Sequence, residues 1–196
     1  ALAAARRFLS YLPSNARAGQ QIVDHPRPIP PIDESLLDLV PVSTRKAYDV
    51  RKVLSLIADA GSLFELKPTF APNMVTALAR LGGRPVGFVA NNPMHLAGAL
   101  DFKGATKARK FIDLCDAFHV PLVFLCDCPG FLVGTEVEKT QMVSLASRVL
   151  NTLCAASVPK VTIVLRKEIG LAYIAMGGRT MNPDAIVAWP TARFDV

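Results

Sequence analysis

Hydrophobic and polar positions change their spacing along this chain, and the changes mark out its elements. Val50, Val53, Leu54 and Ile57 recur at i, i+3, i+4 and i+7, which predicts an amphipathic helix over 45–58, ending before Gly61. Short apolar runs at 62–66 and 74–80 read as strands, and Leu81-Gly82-Gly83-Arg84 turns the second into 85–91 to complete a hairpin. Ala108, Phe111, Ile112 and Cys115 return to helical spacing, followed by a strand over 121–127. Met142, Leu145, Ala146, Val149 and Leu153 predict a long helix, and 160–165 the central strand. Val161 to Leu165 lies between Pro159 and the charges Arg166, Lys167 and Glu168, so it reads as a strand buried on both faces that ends at those charges. A short helix over 171–176, closed by Gly177-Gly178, and a strand over 185–188 complete the series. Strands alternating with helices after an antiparallel start predict an α/β domain with a mostly parallel sheet and right-handed crossovers.

The ends of the chain read differently. Leu2, Ala5 and Leu9 open mid-pattern with no capping residue, as the end of a helix belonging to something earlier, so the sequence reads as a piece of a longer protein. Prolines recur over 12–41, four of them between Pro26 and Pro31, and this stretch is expected to be an extended linker in which little packs. The expected division is therefore 1–41 as the end of a preceding domain with a proline-rich linker, and 42–196 as the domain proper.

Composition narrows the function classes. With 196 residues, 51% apolar and 19% charged, the chain forms a core of ordinary size and carries no disorder signature. The net charge of +6 comes from 22 basic and 16 acidic residues, with the basic ones scattered and never more than two in a row. That pattern argues against nucleic acid and leaves an anionic small molecule compatible. Cys115, Cys126, Cys128 and Cys154 fall in apolar segments without C-x-x-C spacing, and read as buried, reduced thiols of a cytosolic protein. Cys126 and Cys128 share one strand face without a second pair to complete a zinc site. His25, His95 and His119 have no partners at ligand spacing, so no metal site is expected, and no apolar run approaches the length of a membrane span.

Candidate chemistry rests on backbone. Gly170 allows a sharp turn into the 171–176 helix, and no Ser, Thr, Asp or Asn caps that helix, so the first N–H groups, Leu171 and Ala172 among them, are free to meet an anionic oxygen. A tight turn in a core that holds nothing is the alternative reading. A second glycine-bearing turn spans 127–134, and in a parallel sheet both turns leave the strand ends where ligands bind. No Ser-His-Asp set, carboxylate dyad or phosphate loop is present, and the glycine pairs at 82–83 and 177–178 do not fit G-x-G-x-x-G.

Several segments together resemble the β-subunit family of biotin-dependent acyl-CoA carboxylases. They are Phe111-Ile112-x-x-Cys115-Asp116-Ala117-Phe118-x-x-Pro121-Leu122-Val123, Asp127-x-Pro129-Gly130-Phe131-Leu132-x-Gly134, Val158-Pro159-Lys160-Val161-Thr162, Arg166-Lys167-x-x-Gly170 with Ala172-Tyr173, and Ala188-Trp189-Pro190-Thr191, preceded by Tyr11-Leu12-Pro13-Ser14-Asn15 and Phe70-Ala71-x-Asn73. The resemblance covers nearly the whole chain and matches the C-terminal carboxyltransferase domain with the linker before it. It implies a crotonase-like α/β fold and transfer of carboxylate from carboxybiotin to the α-carbon of an acetyl-, propionyl- or related acyl-CoA. It places an oxyanion pair on the amides of Leu171 and Ala172, serving biotin, with Gly130, Phe131, Gly134, Gly170, Tyr173 and Ile174 around the cofactor. Phe131 reads equally as a pocket wall or a core anchor. Biotin would arrive on a partner carrier, coenzyme A as part of the substrate, and a biotin carboxylase or biotin carrier protein as partner. A homo-oligomer, dimer or hexamer, is implied, in the cytoplasm or, in a eukaryote, the mitochondrial matrix. The resemblance also implies that the first of two such domains is missing, leaving this fragment inactive alone.

The chain departs from the family in three places. Leu171 stands where many members have glycine, the segment Met142-Val143-Ser144-Leu145-Ala146 stands where many carry an Arg-His pair, and Ile174 occupies a position that bears on acyl size. Two rival readings follow: a biotin-dependent decarboxylase subunit running the reaction the other way, and a non-catalytic scaffold subunit.

Overall fold

A computed structural model describes residues 1–24, 35–134, 139 and 141–195. Seven strands form one sheet in which the spatial order β1-β2-β3-β4-β5-β6 follows the order along the chain. β1 (Phe64–Leu66), β2 (Met74–Leu81) and β3 (Arg84–Asn91) pair antiparallel, and β3 to β4 (Leu122–Cys128), β4 to β5 (Lys160–Ile169) and β5 to β6 (Ala185–Ala188) pair parallel. β7 (Arg193–Asp195) adds to the far half of β5. The helices are α1 (Leu2–Leu9), α2 (Ser35–Leu39), α3 (Val50–Ile57), α4 (Phe102–Ala117), α5 (Met142–Ala155) and α6 (Leu171–Ala175).

Period-two alternation divides the sheet residues between two cores. Met74, Leu78, Val89, Leu122 and Phe124 face the side covered by Ile112 of α4 and by Leu145, Val149 and Leu153 of α5. Their neighbours Val75, Ala79, Phe88, Val123 and Leu125 face Val50, Val53 and Leu54 of α3. Each fully buried Leu or Phe contributes about 1.5–3 kcal/mol by leaving water. α3 is shorter than its apolar pattern predicts because Asp49 caps it, accepting from the Arg51 N–H at 3.0 Å. α4 is likewise set by Asp101, which accepts from the Gly104 N–H.

Three sequence expectations need correction. β5 does not end at Leu165; it runs to Ile169 and carries Arg166, Lys167 and Glu168 inside, all buried. Charges that read as a strand terminus are interior because a counter-ion, Asp127, comes from the end of β4. Cys154 is exposed, on the solvent side of α5, while Cys115, Cys126 and Cys128 are buried as expected. The stretch after Tyr11 also packs more than its prolines suggest. Leu12, Pro13 and Val40 are buried, Gln20 donates to the carbonyls of Phe118 and His119, and the Val23 N–H bonds the Gly83 carbonyl. Apolar contact and cross-chain bonds seat both ends of that stretch; Pro26 to Pro31 and His25 lie outside the described residues.

Candidate active site

The two expected turns emerge side by side because β4 and β5 are adjacent and parallel. The first turn is anchored to the segment before α4: the Leu100 N–H bonds the Gly130 carbonyl at 3.0 Å and the Leu132 N–H bonds the Leu100 carbonyl at 2.8 Å. The second is anchored to β7, since the Gly170 N–H bonds the Asp195 carbonyl at 2.8 Å. Gly170 has φ 61° and ψ −148°, a region that only glycine enters without strain, although no atom would meet a Cβ placed there. The residue is glycine for its backbone path.

α6 starts immediately after Gly170 and has no side-chain cap. Within α6, Tyr173 is the first residue whose N–H finds an acceptor, the Gly170 carbonyl at 3.0 Å. Among the described residues none accepts from the N–H of Leu171 or Ala172. Leu171 does not adopt a positive φ, so its side chain brings no backbone strain to the start of α6. Its side chain is about half exposed, whereas Ala172 is fully buried.

Between the turns and the start of α5 lies a cleft of about 510 Å³. Gly130, Phe131, Gly134, Gly170 and Leu171 all line it, together with Met142 and Val143 of α5. Phe131 is therefore a wall of the cleft while also packing against the core. Ala172, Tyr173 and Ile174 are not on its lining: Ala172 sits behind it, and the half-buried Tyr173 accepts the Arg179 N–H on its hydroxyl at 3.0 Å. Among the described residues, Gln141 is the one polar side chain of the lining, and no charged side chain belongs to it. A bound anion would meet backbone dipoles with an apolar wall around them.

Charge lies beneath this floor, and the sequence reading missed it. Arg166 Nε bonds Asp127 Oδ2 at 3.0 Å, its NH1 group donates to the carbonyls of Ser43 and Lys46 at 2.8 and 2.7 Å, and its guanidinium lies 5.1 Å from the centre of the Tyr48 ring. Lys167 Nζ stands 3.5 Å from Asp127 Oδ1 and donates to the Ala97 carbonyl. Burial raises the Asp127 carboxyl above the usual carboxylate range, against the downward pull of Lys167 and Arg166. The available signal was an Asp ending one buried strand and an Arg-Lys pair ending the next. Among the described residues, no group of three or more His, Cys, Asp or Glu could hold a metal ion, and no helix is long and apolar enough to cross a membrane.

Comparison with known proteins agrees with this layout. The carboxyl transferase domain model matches residues 1–196. The methylmalonyl-CoA carboxyltransferase 12S subunit of Propionibacterium freudenreichii subsp. shermanii is 42% identical over 192 residues, 98% of this chain and 36% of that protein. The biotin-dependent long chain acyl-coenzyme A carboxylase beta4 subunit of Mycobacterium tuberculosis (strain ATCC 25618 / H37Rv) is 44% identical over 194 residues, 97% of this chain and 37% of that protein. A crystal structure of transcarboxylase 12S, described as a hexamer assembly with hydrolysed methylmalonyl-coenzyme A bound, superposes with a TM-score of 0.96 at 41% identity, covering 99% of this chain and 38% of that one. The crotonase-like α/β fold expected from the resemblance is the fold observed. The chain spans under two-fifths of the length of these relatives.

Proposed function

This chain belongs to the carboxyl transferase domain family, and from that premise we propose that it is the biotin-facing carboxyltransferase domain of a biotin-dependent acyl-CoA carboxylase. The observation that carries this reading is the pair of unengaged amides, Leu171 and Ala172, of which Leu171 lines an apolar cleft and Ala172 follows it in the same turn. Biotin, when bound, supplies the carboxylate that moves to the α-carbon of the acyl-CoA. The chain's residues suit such a group: the alkyl and aromatic wall of Phe131, Ile169 and Leu171 accepts an uncharged ring, and the amides accept negative charge on its carbonyl oxygen. Preorganised N–H donors facing developing charge in a water-poor cleft lower the barrier without reorganising. The described lining residues carry no acid or base side chain, and their part in the reaction is to orient the ring, exclude water and hold the oxyanion. Residues 1–41 are, in this reading, the end of a preceding domain and the linker from it, and a biotin carrier and acyl-CoA arrive from outside this domain.

The test runs the transfer in reverse on the full-length subunit, with free biotin as acceptor and malonyl-, methylmalonyl- and longer alkylmalonyl-CoA donors compared. Turnover is expected, and the preferred ester names the acyl class. A folded full-length protein that transfers to biotin from no ester would put the scaffold reading first. Leu171→Pro removes one N–H at the first helical position, where proline's fixed φ is well suited. It should lower the rate about 10²–10³-fold, the loss seen when one oxyanion donor is removed elsewhere. A rate within threefold of wild type would remove the Leu171 amide from the site.

A further inference from the structure

One buried ionisable group has no place in the site as described. Glu168 is completely buried, two residues before Gly170, and among the described residues neither carboxyl oxygen has a well-formed hydrogen bond. Burial pushes its carboxyl up, and the Cys126 thiol is close enough only to pull it slightly down. Buried polar groups in proteins are nearly always paired, so an orphan of this kind calls for an explanation.

Its neighbours explain why it has no counter-ion. On β4 the register places Cys128 beside it, with Cys126 and Asp127 adjoining. Asp127 is taken up by Arg166 and Lys167, and those two cations also donate to the carbonyls of Ser43, Lys46 and Ala97. Cys126 Sγ approaches the Lys167 carbonyl at 3.5 Å, and burial holds both thiols neutral, Cys128 at about 11 and Cys126 higher than its usual range. On β7, Phe194 pairs with Glu168, while the flanking Arg193 and Asp195 are exposed. On α6, the hydroxyl of Tyr173 is held by the Arg179 N–H. The buried face of α5 is apolar, from Met142 to Leu153. Among the described residues no cation pairs with a Glu168 carboxylate. An ionised carboxylate in such a setting is costly, so the group is kept as the neutral acid.

We propose that Glu168 is a positioning residue for the oxyanion turn: as the neutral acid it leaves the Leu171 and Ala172 amides available to an anion, and its ionisation, three residues before Leu171 on the strand that leads into the turn, drives that anion out. This rests on the carboxyltransferase reading. The step is a single proton lost to solvent, with no bond made to substrate. Desolvation moves the Glu168 carboxyl up to about 7, so the change falls near neutral pH.

Two measurements on the full-length subunit test this. Infrared difference spectra between wild type and Glu168→Gln report the carboxyl directly: a protonated-acid carbonyl band should be present at pH 6 and gone by pH 8. The rate of carboxyl transfer to free biotin should fall about tenfold per pH unit above neutrality in wild type and lose that dependence in Glu168→Gln, or in Glu168→Ala if the amide does not fold. A protonated band that titrates while the wild-type rate stays flat overturns the positioning role. Absence of the band at pH 6 overturns the neutral acid itself. Wild type that transfers no carboxyl group at any pH, though folded, overturns the carboxyltransferase reading and this inference with it.

Discussion

Arg166→Leu is expected to destabilise this domain by about 3–5 kcal/mol, the cost of leaving one half of a buried ion pair behind. Arg166 and Asp127 have almost no solvent exposure, and the Lys167 ammonium at 3.5 Å is Asp127's other cation. The substitution also strands the Ser43 and Lys46 carbonyls. The sign with pH can be worked out. Removing the nearest cation raises the folded-state pKa of Asp127 further, so the folded variant retains a proton that its unfolded chain releases. Stability of the variant should then fall as pH rises from about 4 to neutrality, and the deficit relative to wild type should widen over that range. Urea-dependent hydrogen exchange of β4 and β5 peptides in the full-length subunit at pH 5 and 7.5 measures this. The double variant Asp127→Leu/Arg166→Leu should recover much of the loss, since removing both charges leaves neither desolvated. A single variant costing under 1 kcal/mol at both pH values would show that the pair is solvated in solution.

Gly170→Ala is expected to reduce carboxyl transfer to free biotin at least a hundredfold in the full-length subunit. The loss is conformational: nothing lies within 4 Å of the new methyl group, but an alanine at φ 61°, ψ −148° is strained by about 1–3 kcal/mol. The chain relieves that strain by rotating the peptide, and the rotation carries the Leu171 and Ala172 amides away from their common aim. The Gly170 N–H bond to Asp195 should break with it, so the amide's exchange should accelerate in step with the loss of activity. Retained activity with retained protection would mean that this backbone path is not what aims the donors.

These two positions differ in how far the sequence revealed them. Gly170 was legible as a turn because a glycine between an apolar run and a short uncapped helix marks a sharp change of direction, and the uncapped start of α6 at Leu171 and Ala172 followed from it. The paired strands and α4 were legible from period two and period 3.6 because their packing is regular. Arg166, Lys167 and Glu168 were misread as the end of β5. Charge normally marks a surface, and the partner that buries Arg166 and Lys167 is Asp127, 39 residues earlier than Arg166, visible only once β4 and β5 lie together. Leu12 and Val40 were missed for a related reason: prolines flank both, and what covers them is tertiary contact. β7, three residues long, has no period to detect.

The sheet's plain strand order also bears on how the molecule folds. Each of β2 to β6 lies next to the strand before it in the sequence, so the sheet can grow strand by strand from the β2–β3 hairpin without any later strand inserting between earlier ones. The cleft draws on the last pieces to arrive, the C-terminal ends of β4 and β5, α6, and the Asp195 carbonyl of β7 that holds Gly170. Pulse-labelled exchange during refolding should therefore show the β2 and β3 amides protected before the Gly170 amide. A chain that has completed its hairpin and first crossover has most of its core and as yet no cleft.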